Sequence, residues 1–342
     1  MIEMKGDTLI VSFPELEPAK LHIKLQRTLR IPDDGHDYPL PPGLGAFPLR
    51  HVDDFLETVP PKWLEHGGVM LPMFQSEAMW INLRSRWIEG HNAAYPFAIK
   101  IATGKINAVS GKPWKNGLNR NPQDYVVAPE QPWLDGYCVE KGVIRQFVAM
   151  PLGSGYSAEE QMTGTAEHGG LQIMVYSMKG DVFERRFPYH LTIREVGQEV
   201  FQVARPSVPE CSAMGFAPGG RMRQAIYDDP FDINDWDRGQ TSRCFIHIAN
   251  SLAWRAITGQ DPPTVPPTSA EYTKAGLPWF EYYAEDAAAV PGSEKLRSLK
   301  SVATLGAEKG DKPLPENESV KPGHVIALRD GLRKDQVREG DF

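Results

Sequence analysis

The chain has 342 residues, 41% hydrophobic and 24% charged, a balance that supports a large buried core and argues against wholesale disorder. The net charge is -7 with no basic stripe, which speaks against a nucleic-acid partner. No run of about 18 apolar residues occurs, so no membrane span is expected. Cys138, Cys211 and Cys244 are too few and too widely spaced for a disulfide framework, and the opening MIEMKGDTLIVSF lacks the pattern of a signal peptide. Both features fit a cytoplasmic protein. Thirty prolines spread along the chain limit helix length, so short strands, turns and long ordered loops are expected, with helices toward the C-terminal half.

Thr8–Phe13 reads as a short strand. In Leu21–Ile31 the residues Leu21, Ile23 and Leu25 alternate with His22, Lys24 and Gln26, the period of a strand with one buried face. Residues 31–48, IPDDGHDYPLPPGLGAFP, must be loop, either functional or packed down as a flap. Val52–Val59 suits a short helix. Val69–Phe74 and Ala78–Leu83, Tyr95–Ile101 and Lys105–Val109 suggest strands paired as antiparallel hairpins. Tyr125–Ala128 adds a strand. Gly142–Met150 and Leu171–Tyr176 are strands flanking a glycine-rich polar loop. In that loop Ser157-Ala-Glu-Glu160 fits a capping box for a short helix.

Phe187–Arg194 and Glu199–Ala204 read as two more strands. Gly219-Gly220 then precedes a short helix over Arg221–Tyr227. Arg243–Ala249 alternates like a strand, and Ser251–Thr258 reads as a helix closed by Gly259 in a left-handed position. Thr268-Ser-Ala-Glu271 is a second capping box. Residues 277–283, LPWFEYY, should dock on the body, and Ser293–Leu305 reads as an amphipathic helix. Val325–Leu328 suits a last strand.

The segments PEQPWLDGYCVEKGVIRQFVAMPLGSGY, EEQMTG, GGRMRQAIYDDPF and AGLPWFEYY resemble a family of uncharacterised proteins of bacteria and some fungi, over most of residues 10–305. The resemblance implies one co-inherited architecture and carries no activity or functional residue.

Four groups of residues have the composition of a site. In the Gly153–Gly170 loop, His168 beside Glu167, with Glu160 and Gln161 nearby, would suit general acid–base work, because a neighbouring carboxylate raises an imidazole pKa. The same residues also fit a capped helix followed by a Gly-Gly turn. Arg221 and Arg223 after Gly219-Gly220 would hold an anionic ligand, or pair with nearby aspartates. Asp228, Asp229, Asp232 and Asp235 supply the hard oxygens that Ca²⁺ or Mg²⁺ takes, but without the EF-hand spacing. The eight tryptophans could line a groove for a peptide or a sugar, or pin the long loops onto the sheet.

Zinc motifs and GxSxG are absent from the sequence. His36 among Asp33, Asp34 and Asp37, and His51 near Asp53 and Asp54, are weaker metal candidates. Cys244 and His247, three apart in a strand, would point to opposite faces and cannot form a dyad.

The expected fold is α+β: an antiparallel, sandwich-like β body over 8–204 with short helices in the C-terminal part. Residues 1–305 form one compact unit and 306–342 a charged, proline-containing tail. The preferred function is a binding or assembly protein that offers rigid proline and aromatic loops to a protein partner or a second copy of itself. The alternative is an enzyme of unclassified type, with a His168/Glu acid–base pair and the two arginines holding a small anionic substrate.

Overall fold

The computed structural model describes residues 1–16, 19–189, 213–282 and 288–328. Two sheets face each other, and strands dominate over short helices, so the β-rich α+β expectation holds. The first sheet runs Ile2–Lys5, Thr8–Ser12, Lys20–Thr28, Ala78–Ser85, Val143–Pro151, Met214–Arg223 and Asp37–Tyr38. The second runs Ile106–Asn107, Phe97–Thr103, Leu171–Met178, Trp236–Asn250, Val69–Met73 and Arg50–His51. Most pairings are antiparallel. Met214–Arg223 with Asp37–Tyr38, Trp236–Asn250 with Val69–Met73, and Trp279–Tyr282 with Val325–Leu328 are parallel.

Sequence alternation explains the layer between the sheets. Leu21, Ile23 and Leu25 are buried from one side, and meet Ile81 and Leu83 of the neighbouring strand on the same face. Phe97, Ile99 and Ile101, with Ile173 and Val175, close the core from the second sheet. Two smaller clusters cover the outer faces. Trp254 and Ile257 of the helix Ser251–Thr258 pack with Val52, Trp63 and Met70, while Val302 and Leu305 pack with Val148, Met150 and Tyr156.

Several local readings hold. The capping boxes at Ser157/Glu160 and Thr268/Glu271 both form, and Gly259 ends its helix at φ +67°. Val325–Leu328 is a strand.

Others are corrected. Val69–Met73 and Ala78–Ser85 are not a hairpin: they belong to different sheets, and Gln75–Glu77 is a crossover. Buried Glu77 holds that corner by accepting from Arg27 Nε at 2.7 Å and from the Phe74 amide at 2.9 Å. Arg221–Tyr227 is not a helix, because Arg221 and Arg223 end the strand Met214–Arg223. Gly219 and Gly220 there serve close approach, not a turn. A Cβ on the first would press on Val148, and on the second would collide with the Pro32 carbonyl.

Ser293–Leu305 divides into two helices, Glu294–Arg297 and Val302–Lys309, because Ser293 and Ser301 each start one by accepting an amide N–H. The segment before Phe187 is a helix, Gly180–Arg186, and the expected strand through Arg194 runs out of the described residues. Glu199–Ala204 and Cys211 lie outside them altogether.

The expected tail from 306 is laid on the body as far as Leu328. Val302–Lys309 runs through the expected boundary, Tyr156 donates its hydroxyl to Asp311, Arg30 donates to Asn317 at 2.6 Å, and Ser319 donates to Asp34 at 2.6 Å. Among the described residues no helix is long and apolar enough to cross a membrane.

Candidate functional site: an aromatic groove around Asp135

The Gly153–Gly170 loop is a second sheet-to-sheet crossover, since Val143–Pro151 and Leu171–Met178 lie in opposite sheets. Two of its three carboxylates, Glu159 and Glu160, are committed to making that turn. Glu160 accepts the amides of Gly153 at 2.8 Å and Gly155 at 2.7 Å with one oxygen. Its other oxygen takes the Ser157 hydroxyl at 2.6 Å and the Ser157 amide at 3.1 Å. Glu159, buried, accepts the amides of His168 at 3.2 Å and Gly169 at 3.0 Å. Gln161 clamps backbone, donating to the carbonyls of Tyr156 and Lys300 and accepting the Lys300 amide at 2.8 Å.

His168 Nε2 stands 3.4 Å from Glu167 Oε2, so those two are indeed neighbours. Their electrostatics differ from the expectation. Burial pushes the His168 pKa down and outweighs the upward pull of Glu159 and, more weakly, Glu167, so the imidazole favours its neutral form.

Arg221 and Arg223 are on another part of the molecule. The Gly170 amide donates to the Met214 carbonyl, which puts the loop at the start of the strand Met214–Arg223. Arg221 lies seven residues along it, roughly 20 Å away at about 3.3 Å per residue. Arg221 pairs with Asp37 at 2.6 Å and Glu140 at 3.1 Å, and Arg223 with Glu281 at 2.7 Å. The His168 loop and the two arginines therefore do not meet in one pocket.

Two acids of the turn, Asp229 and Asp235, face inward. Asp229 accepts from Tyr125 at 2.5 Å, Trp236 Nε1 at 2.9 Å and the Phe231 amide at 2.8 Å. Asp235 takes Arg186 at 2.6 Å and the Asp232 amide at 3.2 Å, and Asp232 accepts the Asn234 amide at 2.8 Å. Asp228 lies apart, on the wall of a cavity with Arg120 and Lys295. Among the described residues no three His, Cys, Asp or Glu side chains gather as metal ligands, His36 and His51 included. The thiols of Cys138 and Cys244 are both pushed up to about 12 by burial, which keeps them protonated and inert.

A different group does converge. The strand Ala78–Ser85 pairs with Val143–Pro151 only through Ala78 and Met79, and beyond that point the first sheet forks. Residues 133–140 fill the fork: Trp133–Leu134 pairs with Ala78–Ser85, and Gly136–Glu140 with Val143–Pro151. Gly136 is required at the junction, because a Cβ there would run into the Arg145 carbonyl. Leu134 and Ile81 point into the core, so Trp80, Trp133 and Asp135 take the opposite face.

On that face a cavity of about 340 Å³ is lined by Trp80, Trp133, Asp135 and Phe280, with the proline loop Leu40–Gly43 and Leu328. Trp133 meets Trp80 edge-on at 6.4 Å and Tyr282 at 4.9 Å, which fixes its ring. Leu40 and Phe280 exchange backbone hydrogen bonds at 2.8 and 2.9 Å, joining the loop to the strand Trp279–Tyr282. Among the described residues neither the Trp80 nor the Trp133 indole N–H has a hydrogen-bond partner.

Asp135 is 4% exposed. Gln224 holds it from both ends, accepting its amide N–H at 3.0 Å and donating Nε2 to its carboxylate at 2.6 Å. No other group among the described residues donates to that carboxylate. Burial raises its pKa to about 7 against the smaller downward pull of Gln224, and no charged side chain among the described residues offsets the shift. A titrating acid with spare acceptor capacity, facing an aromatic cavity, is a functional-site signature.

Sequence reasoning missed Asp135, Gln224 and the role of Trp80, Trp133 and Phe280. The available signal was Trp133-Leu134-Asp135-Gly136, where period two puts an acid beside a tryptophan opposite a core leucine. No protein-family model, curated protein or solved structure matches the chain, so the reading of the site rests on its chemistry.

Proposed function

We propose that this protein works by binding, and that the groove walled by Trp80, Trp133, Phe280 and the Leu40–Gly43 loop is where it binds. The observation that carries this reading is a cavity of about 340 Å³, within the usual range for small ligands, whose polar groups are not used up by the fold. It agrees with the expectation that rigid proline and aromatic loops form the binding surface. Pro41 and Pro42 hold one wall with little conformational freedom left to lose on association. The enzyme alternative draws no support from geometry, since its acid–base and anion-holding residues lie at opposite ends of one strand.

The test is saturation-transfer NMR with a panel of small neutral, anionic and cationic organic compounds. Hits should disappear in Trp133→Ala and persist in His168→Ala. Hits that survive Trp133→Ala, or that need His168, would overturn the assignment.

A further inference from the structure

Resting on that reading, we infer that the ligand of the groove is a small organic cation, an alkylated ammonium seated among the aromatic rings against the Asp135 carboxylate.

Three features point to this class. The walls are aromatic and apolar: Trp80, Trp133, Phe280, Leu40, Pro41, Pro42 and Leu328. Rings of this kind attract a cation that is weakly hydrated and large enough to touch several of them. Among the described residues the one ionisable group of the cavity is an acid, and its carboxylate has a single donor, Gln224. A buried carboxylate without a countercharge is costly, so in the empty groove it tends to keep its proton. An arriving ammonium supplies the missing countercharge, and the proton leaves to solvent. Finally, the chain carries a net charge of -7, a long-range field that favours cations over anions.

Other ligand classes fit less well. An anion would meet a carboxylate and, among the described residues, no cation in the cavity. A sugar would bring many hydroxyls to a wall that offers one carboxylate and two indole N–H groups. The arginines of the strands Met214–Arg223 and Val143–Pro151 are already paired: Arg221 with Asp37 and Glu140, Arg223 with Glu281, and Arg145 beside Asp33 at 3.8 Å. None of them lines the cavity.

The experiment is calorimetric titration of the full chain with choline and with its neutral isostere 3,3-dimethyl-1-butanol, at pH 8 and pH 6. Choline should bind at least tenfold more tightly than the isostere at pH 8. Its advantage should shrink at pH 6, where the proton competes. Asp135→Asn keeps shape and the Gln224 contact, and should abolish the choline preference, so that choline and the isostere bind alike. Trp133→Phe, a milder change to the wall, should weaken both ligands and spare the preference. Equal binding of choline and isostere, or a preference that survives Asp135→Asn, would overturn the cation inference and leave the groove standing. Absence of choline binding while other compounds bind in a Trp133-dependent way would do the same. If nothing binds in a Trp133-dependent way, the groove assignment itself falls.

Discussion

The Gly153–Gly170 loop and the Asp135 groove are opposites. The loop is dense in ionisable groups, yet Glu159, Glu160 and Gln161 all point their polar atoms at backbone. Among the described residues the groove has one ionisable side chain, and its carboxylate has one donor. The loop must carry the chain from one sheet to the other through two glycine turns, and its acids neutralise the amides exposed in doing so. The groove has no such task. Hydrogen-bonding capacity left over after folding, rather than the number of charged residues, separates a site from a well-built turn.

That contrast can be attacked at its strongest point first. Asp135 has its folded pKa raised from 3.8 to about 7. Between those values the folded state holds a proton that the unfolded state has released. Its contribution is therefore full below about pH 4 and lost as pH rises through 7, at most about 4 kcal/mol. Chemical denaturation of wild type and Asp135→Asn across pH 4–8 should show the difference in stability changing by a large part of that amount. Wild type should be relatively favoured at low pH, and a flat difference would erase the contrast.

Next in size is Gly136→Ala. It forces a methyl group against the Arg145 carbonyl at the fork and should cost about 3 kcal/mol by overpacking, with the groove's binding lost as its frame shifts. A third test moves to the loop. Glu160→Ala leaves the amides of Gly153, Gly155 and Ser157 without their acceptor and should cost about 2 kcal/mol in urea unfolding. Binding in the groove should be unchanged. The smallest effect belongs to His168→Ala, where the side chain is partly exposed and its Nε2 has no hydrogen-bond partner among the described residues. A change within about 0.5 kcal/mol is expected, with no effect on ligand binding. A loss of function in His168→Ala with stability intact would reverse the ranking of the two regions.

Much of the fold was legible because period-two alternation and capping chemistry are local. The strands expected at Leu21–Ile31 and Tyr95–Ile101 form as Lys20–Thr28 and Phe97–Thr103, and both capping boxes form from their own residues. Which sheet each strand joins was not local. Val69–Met73 and Ala78–Ser85 look like a hairpin in isolation, and their pairing with Trp236–Asn250 and Lys20–Thr28, both distant in sequence, makes the connection a crossover. Gly219-Gly220 read as a helix start because a glycine pair gives no sign of which backbone will press against it.

The candidate site was hidden for a similar reason. Asp135 is an unremarkable acid in sequence. Its character comes from Trp80, Gln224 and Phe280, which reach it from three distant segments. The residues that looked functional were conspicuous because they cluster along the chain, and clustering along the chain is what a turn requires.

The most direct check on the groove is a carbon-13 NMR titration of the Asp135 carboxyl, without and with choline. The expected midpoint lies near 7 in the free protein and falls when the cation is added. A midpoint near 4 in the free protein, unmoved by the ligand, would mean that the carboxylate is already satisfied and that the groove is only part of the wall.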